Sequence, residues 1–280
     1  MKQRIITGIV AILIFLPVLI FSSTVALPIA IAICSAVAVY EMSACIGLKR
    51  ALALSAPFYL AALAFPFLIR YANPSLTVAL AAAFATVTLI YLFAALIFSH
   101  GKYDLAGVGV LAFTLIYILI GFNSIMAVRD WTVGGKYLYL IAFLGAWITD
   151  TFAYFCGMLF GKGGKHKLIP DVSPKKTVEG SIGGIVFCVL SMVLFAVIVE
   201  KINPLAEANL LIFALMGLAV SVVSQIGDLA MSVVKRTYGI KDYGKLFPGH
   251  GGILDRFDSV IAVSSVLMIL TMFFDFFERV

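Results

Sequence analysis

Long apolar runs separated by short polar interruptions dominate the chain. A helix needs roughly 20 predominantly apolar residues to cross a bilayer. Nine runs reach about that length, so the pattern predicts nine transmembrane helices. The predicted spans are 5–22, 25–47, 51–70, 75–99, 105–128, 137–160, 181–199, 207–234 and 259–277. We therefore predict an all-α, polytopic integral membrane protein.

The first predicted span has two interpretations. Lys2 and Arg4 precede an apolar run, as in a secretory signal peptide. Because no clear A-x-A cleavage site follows the run, a helix that stays in the membrane is favoured.

Composition supports the membrane assignment. The chain has 63% hydrophobic and only 12% charged residues, whereas about 25% of residues are charged in soluble domains. Its four cysteines lie in apolar runs and form no C-x-x-C pair, so neither a disulfide framework nor a zinc site is indicated.

The distribution of positive charge predicts the orientation. Fifteen of the 20 Lys and Arg residues fall on the side of the N-terminus and five on the other. Since cytoplasmic loops are enriched in Lys and Arg, the N-terminus is predicted to be cytoplasmic. The net charge of +6 then reflects topology and does not call for a nucleic-acid partner.

Two long polar interruptions, 161–180 and 235–258, lie on the predicted cytoplasmic side and are rich in Gly, Pro and Lys. We expect the chemistry there. We accordingly divide the chain into residues 1–130, a scaffold with possible dimer contacts, and residues 131–280, which carry both loops and the catalytic groups.

A polar face marks the eighth predicted span. Ser224, Asp228, Ser232 and Lys235 are spaced by three or four residues and share one side of a helix. An Asp within a span costs roughly 2.5–3.5 kcal/mol on insertion scales, so it normally faces a cavity, a partner or a metal. The alternative is a structural carboxylate paired with a Lys or Arg.

The loop after that span mixes four cationic side chains with five glycines between Lys235 and Gly252. Glycine lets backbone N–H groups approach an anion, and Lys or Arg neutralises phosphate oxygens. An ordinary positively charged cytoplasmic loop explains the cations but not the glycines. The Walker pattern is absent, which argues against a P-loop NTPase.

Asp255 and Asp258 lie one turn apart at the start of the last span. Carboxylates near the headgroup boundary suit Mg²⁺. The alternative is an acidic cap at a helix N-terminus.

A further group begins with Asp150 and Tyr154 and continues through the segment 173–180, whose Lys175 and Lys176 could clamp a phosphate. Lipid-surface binding is an equal alternative for the basic residues Lys162, Lys165 and Lys167. His166 and His250 are candidate general bases or metal ligands.

The segment 232–258, S-V-V-K-R-T-Y-G-I-K-D-Y-G-K-L-F-P-G-H-G-G-I-L-D-R-F-D, resembles the signature of the phosphatidate cytidylyltransferase (CDP-diacylglycerol synthase) family. Gly227-Asp228-Leu229 just upstream and Ser173 to Gly180 match two further elements of that family. The family often has Trp where this chain has Val178. These motifs cover the C-terminal half; the first five spans resemble the family only in hydropathy.

The resemblance implies the reaction of CTP with phosphatidic acid to CDP-diacylglycerol and diphosphate. Together with the distribution of positive charge, it predicts an enzyme of the cell inner membrane whose active site faces the cytoplasm. It also implies Mg²⁺ at Asp228 and Asp255, K⁺ as a second cation, and a homodimer. The predicted catalytic residues are Asp228, Lys235, Arg236, Lys241, His250, Asp255 and Arg256. The predicted substrate-binding residues are Ser173, Lys175, Lys176, Thr177, Ser224, Ser232, Asp242, Gly249, Gly251 and Gly252. The predicted metal ligands are Asp228, Asp255 and Asp258.

Two other classes remain open from the residues alone. An anion transporter would also place Asp and Lys in spans, but it would more often show inverted repeats. Another CTP-dependent lipid enzyme, such as a polyprenol kinase, would transfer the γ-phosphate and release CDP.

Overall fold

A computed structural model describes residues 2–49, 51–161, 166–203 and 206–279. The basic residues Arg50, Lys162 and Lys165, which enter the orientation argument, lie outside this described part. The helices are α1 (Lys2–Ile20), α2 (Ala26–Cys45), α3 (Leu52–Tyr71), α4 (Pro74–Phe98), α5 (Leu105–Trp131), α6 (Gly135–Leu138), α7 (Leu140–Phe160), α8 (Val178–Ile202), α9 (Leu210–Thr237) and α10 (Leu254–Phe273). The strands are β1 (Lys167–Ile169), β2 (Ser173–Thr177), β3 (Ala206–Ala208) and β4 (Phe277–Arg279).

The helices confirm the all-α membrane fold. Within the described residues, eight helical segments are long and apolar enough to cross a membrane, with α6 and α7 together forming one of them. Helix α1, Lys2–Ile20, overlaps the first predicted span, 5–22, but it is not among these eight, so eight of the nine predicted spans are confirmed within the described residues. The chain is therefore a multi-pass membrane protein.

Two details differ from the predicted elements. Helix α10 begins at Leu254, five residues before the predicted start of the last span, so both aspartates of the D-R-x-D sequence are helical. Apolar length alone misses this turn, because its residues are mostly polar. The four short strands were not predicted, since three to five residues carry too little periodic pattern.

The starts of α4 and α9 follow from local capping chemistry. Asn73 precedes Pro74 and accepts a hydrogen bond from the Ser75 N–H at 2.8 Å. Asn209 accepts one from the Ile212 N–H at 3.1 Å and begins α9. Such side chains satisfy backbone donors that have no partner within the helix.

The described chain forms two compact units. The first comprises Met1–Met126 and Ile240–Arg256, and the second comprises Ala127–Gly239 and Phe257–Val280. Compared with the division predicted at residue 130, the segment 240–256 joins the N-terminal unit. The assignment of scaffold and catalytic roles to the two parts stays a prediction.

In the first unit, α2 packs along α3 around fully buried side chains that include Met42, Leu54 and Phe58. Arg70 near the end of α3 donates to the backbone carbonyls of Ser22 and Thr24, at 2.8 and 2.9 Å. This contact ties the turn before α2 to the end of α3.

In the second unit, α8 packs against both α7 and α9. Strands β1 and β2 form an antiparallel pair just before α8, and β3 pairs with β4. Phe213 is fully buried and its ring lies 5.5 Å from Phe276 and 5.3 Å from Phe277. These rings hold the residues after α10 against the start of α9.

Candidate functional site

The predicted polar face of α9 exists in the second unit. Ser224, Asp228, Ser232 and Lys235 all lie on α9, with Ser224 fully buried and Lys235 only 8% exposed. The buried Lys lies near the end of the helix, where a positive charge is favoured by the helix dipole. A polar stripe of this kind on an apolar helix requires polar neighbours inside the protein.

Asp228 forms an ion pair with Lys176 of β2. The two side chains are 25% and 22% exposed, so the pair is neither fully buried nor freely solvated. Sequence reasoning assigned Asp228 to a metal and Lys176 to phosphate. The structure places the two residues in contact, as the alternative of a carboxylate paired with a Lys or Arg also requires.

A second carboxylate belongs to the same cluster. Asp258 of α10 is 9% exposed, and its nearby charged groups are Asp228, Lys235 and, on α7, Asp150. The Asp258 carboxylate accepts a hydrogen bond from the Ser259 N–H at 2.8 Å. We call these five residues, Asp150, Lys176, Asp228, Lys235 and Asp258, the α9 cluster.

Gly227 explains how α9 and α10 approach each other at this level. A Cβ atom on Gly227 would lie 3.0 Å from the Asp258 carbonyl oxygen and 2.5 Å from the Ala262 Cβ. Only glycine allows this approach without a shift of one helix. Gly227 therefore allows the close packing of the two helices, and the next residue, Asp228, supplies the carboxylate of the cluster.

The β1–β2 hairpin carries the residues that precede α8. Thr177 is buried and its hydroxyl accepts the Gly180 N–H at 3.1 Å, so it caps the helix. His166 Nδ1 lies 2.6 Å from a carboxylate oxygen of Glu179. Both contacts fix the hairpin to α8, and the hairpin in turn presents Lys176. The predicted role of Thr177 in substrate binding is not addressed by this cap.

The glycine-rich loop belongs to the first unit. The backbone of Phe247 and Gly251 pairs in both directions, with N–O distances of 2.9 and 3.1 Å, which closes a tight turn. Gly249 and Gly251 have φ of 79° and 87°, a region that side chains other than glycine rarely adopt. His250 sits inside this turn, and its role as a base stays a prediction.

Asp255 supports that loop from the first turn of α10. Its Oδ2 accepts the N–H groups of Tyr243 and Gly252, at 2.8 and 2.9 Å. The acidic helix start considered from the sequence is thus present, and it holds the loop closed. Asp255 lies in the first unit and Asp228 in the second, so the predicted sharing of one metal ion by these two residues stays a prediction.

Glu41 of α2, whose carboxylate binds the end of the loop, was not among the residues predicted from the sequence. This carboxylate is 3% exposed and accepts the N–H groups of Ile253 and Leu254, at 3.0 and 2.9 Å. The available signal was an acidic residue within an apolar span, which by itself is a reason to expect a function.

The remaining predicted residues are mostly accessible. The exposed ones are Lys175, Arg236, Lys241, Asp242, Gly249 and Arg256, whereas Ser173 and Gly251 are intermediate and Ser232 and Gly252 are buried. Exposed Lys and Arg side chains are available to contact an anionic ligand.

The donor set of the α9 cluster fits a hard divalent cation. No group of three or more His, Cys, Asp or Glu side chains forms a ready metal site in the described residues. Mg²⁺ is usually held by one or two carboxylates together with phosphate oxygens of its substrate. Asp228 and Asp258 supply two carboxylates, and the fully buried hydroxyl of Ser224, one turn along α9, has no hydrogen-bond partner in the described part of the chain.

Together the fold and the cluster define a class: an integral membrane protein in which carboxylates and lysines are grouped on the polar face of a membrane-spanning helix. Residues 2–274 match the family model described as the cytidylyltransferase family. This chain belongs to the cytidylyltransferase family.

Curated relatives agree with the family assignment. A phosphatidate cytidylyltransferase of Staphylococcus haemolyticus is 33% identical over 277 residues, covering 96% of this chain and 98% of the relative. The enzyme of the same name from Staphylococcus epidermidis is 32% identical over 271 residues, with the same coverage of both chains. That of Staphylococcus aureus strain COL is 34% identical over 279 residues, again with 96% and 98% covered.

Proposed function

We propose that this protein is a phosphatidate cytidylyltransferase, which transfers CMP from CTP to phosphatidic acid and yields CDP-diacylglycerol and diphosphate. The observation that carries this proposal is the α9 cluster, in which three helix carboxylates and two lysines are grouped inside a membrane protein of the cytidylyltransferase family. No finding favours the polyprenol kinase considered from the sequence.

The charge of the reactants explains why the site needs cations. A phosphate monoester carries about −1.5 to −2 charges near pH 7, and CTP carries more. Lys176 and Lys235 lie in the α9 cluster, and the exposed side chains of Arg236, Lys241 and Arg256 are additional candidates. We assign these side chains to the phosphates of CTP and phosphatidic acid, where they offset the repulsion between the two anions.

No side chain has to act as a nucleophile. A phosphate oxygen of phosphatidic acid attacks the α-phosphorus of CTP, the bond to the β-phosphate oxygen breaks, and diphosphate leaves. Catalysis then depends on holding the two substrates in line and on stabilising the charge of the leaving diphosphate. Lysine and arginine groups held by a packed helix and hairpin suit both tasks.

Asp228 and Asp258 are the residues of the second unit that would hold Mg²⁺, and Asp255 is the further ligand that the family resemblance implies. When bound, Mg²⁺ neutralises phosphate charge and favours departure of diphosphate. The ion pair with Lys176 keeps the Asp228 carboxylate turned toward the hairpin. K⁺ as a second cation also follows from the resemblance alone.

We place the enzyme in the inner membrane of a bacterial cell with both polar loops in the cytoplasm. The bacterial relatives and the excess of Lys and Arg on one side support this placement. CTP is water-soluble and phosphatidic acid is a membrane lipid, so a site at the cytoplasmic leaflet receives both. A homodimer is part of the same proposal, whereas nucleic acid is not expected as a partner.

The test uses purified protein in detergent with phosphatidic acid, Mg²⁺ and CTP labelled at the α- or the γ-phosphate. We expect the α-label to enter a lipid and the γ-label to appear in diphosphate. With a polyprenol supplied in place of phosphatidic acid, lipid labelled from the γ-position together with CDP would instead identify a kinase. Absence of any product from CTP, with transport of an anion by reconstituted protein, would identify a transporter.

A further inference from the structure

The start of α10 receives its acceptor from a helix far away in the sequence. Ile253 directly precedes the helix and has no polar side chain to cap it. The carboxylate of Glu41 accepts the N–H groups of Ile253 and Leu254 instead, across 212 and 213 residues of sequence. Because the first N–H groups of a helix lack partners within the helix, an anionic acceptor there is strongly favoured.

Burial makes this contact specific. Glu41 is 3% exposed, and Ile253 and Leu254 are 6% and 0% exposed. A charged side chain enters such an environment only when hydrogen bonds replace its water. The two backbone donors meet that requirement, and losing them would leave a buried carboxylate without those bonds.

Two glycines of the loop lie directly against the same carboxylate. A Cβ atom on Gly252 would collide with the carboxylate carbon and both oxygens of Glu41. A Cβ on Gly244 would also meet the Glu41 carboxylate, with its carbon at 2.9 Å. Gly252 was assigned from the sequence to close approach of a phosphate. In the structure its lack of a side chain makes room for Glu41.

We propose that Glu41 is a positioning residue for the cytidylyl-transfer reaction: it anchors the loop 240–253 and the first turn of α10 to α2. This inference deepens the proposed function, because the loop carries Lys241 and His250 and the helix turn carries Asp255 and Arg256. Asp255 closes the loop upon itself through Tyr243 and Gly252. Glu41 then fixes the closed loop within the first unit.

The first test compares Glu41→Gln with wild type and with Glu200→Gln, a control at an exposed carboxylate near the end of α8. Gln offers one acceptor oxygen where Glu offers two, so it can satisfy only one of the two N–H groups well. We expect kcat to fall about 10- to 100-fold with a smaller change in KM for CTP. Hydrogen exchange of peptides covering residues 250–258, followed by mass spectrometry in detergent, should become at least about tenfold faster.

The second test is a double-mutant cycle, whose Gly252→Ala arm leaves Glu41 in place and so remains informative if Glu41→Gln folds poorly. Gly252→Ala alone should lower kcat and speed exchange, since the new methyl group displaces the carboxylate. In a Glu41→Ala background, Gly252→Ala should cause less than about a twofold further loss, because the group it collides with is gone. Multiplicative losses in the cycle, or unchanged exchange in Glu41→Gln, would overturn the proposal.

The two proposals fail in different ways. Hydrogen exchange reports on the loop whether or not the protein uses CTP. Faster exchange in Glu41→Gln combined with no CMP transfer by wild type would refute the proposed function and retain the anchor. Normal CMP transfer by wild type, with unchanged exchange and kcat in Glu41→Gln, would retain the proposed function and refute the anchoring role of Glu41.

Discussion

Asp228 is the residue on which the proposed chemistry depends most. Its carboxylate pairs with Lys176 and belongs to the same cluster as Asp258. We expect Asp228→Asn to lower CMP transfer by at least about 100-fold, because the variant loses the charge that would hold a cation. Because Asn has nearly the same shape as Asp and the pair is only partly buried, the variant should remain folded. CMP transfer and thermal unfolding in detergent measure the two effects.

The control for that experiment is Asp171→Asn, which removes an exposed carboxylate in the turn between β1 and β2. It should retain activity within about twofold, as surface substitutions usually do. Equal activity of Asp228→Asn and wild type would refute the metal assignment.

Lys175 and Lys176 are adjacent in sequence but differ in surroundings. Lys176 pairs with Asp228, whereas Lys175 is exposed. We therefore expect Lys176→Gln to lower kcat/KM by about tenfold or more and Lys175→Gln by only a few fold, because exposed pairs and charges contribute little. Steady-state kinetics with both substrates varied would reveal the difference, and equal effects would contradict the assigned contact.

At the scale of elements, the packing of α10 on α9 depends on Gly227. We expect Gly227→Ala to destabilise the protein by about 1–3 kcal/mol, because its Cβ would lie 2.5 Å from the Ala262 Cβ. CMP transfer should fall as well, since the shift separates Asp258 from Asp228. Thermal unfolding and kinetics measure both changes.

A matched control exists on α5. A Cβ on Gly109 meets nothing within 4 Å, so Gly109→Ala should be neutral or slightly stabilising through helix propensity. The double variant Gly227→Ala with Ala262→Gly should recover part of the lost stability. If the double variant recovers no stability and Gly227→Ala is as stable as Gly109→Ala, the close approach of α9 and α10 is unimportant.

At the scale of the whole molecule, the orientation in the membrane is open to direct measurement. Single cysteines are introduced at Asp171, Asp242 and Val133 in a variant whose four native cysteines are replaced by serine. Asp171→Cys and Asp242→Cys should react with a membrane-impermeant thiol reagent only when the cytoplasmic side is open, and Val133→Cys only from the other side. Labelling of all three from one side would refute the predicted topology.

The membrane spans and the location of the polar loops could be predicted because hydrophobicity is a local property that accumulates over about 20 residues. The starts of α4, α8 and α9 have a local basis in Asn73, Thr177 and Asn209, whose side chains bond N–H groups two or three residues away. The apolar pattern placed these starts at 75, 181 and 207, within three residues of the observed ones. The start of α10 has no such local basis. Its acceptor comes from another helix and its first turn is mostly polar, so neither a local cap nor the apolar pattern marks it, and the predicted start is five residues too late.

By itself the sequence determined that the chain is a helical membrane protein and which family its motifs resemble, and it predicted which residue types carry its chemistry. Only the tertiary structure decided that Lys176 pairs with Asp228 and that α10 packs closely on α9 at Gly227. It also decided that Glu41 accepts the N–H groups at the start of α10. Local patterns report how each residue prefers water or lipid. Contacts between residues 212 positions apart depend on how complete helices pack, and that information is spread over the whole chain.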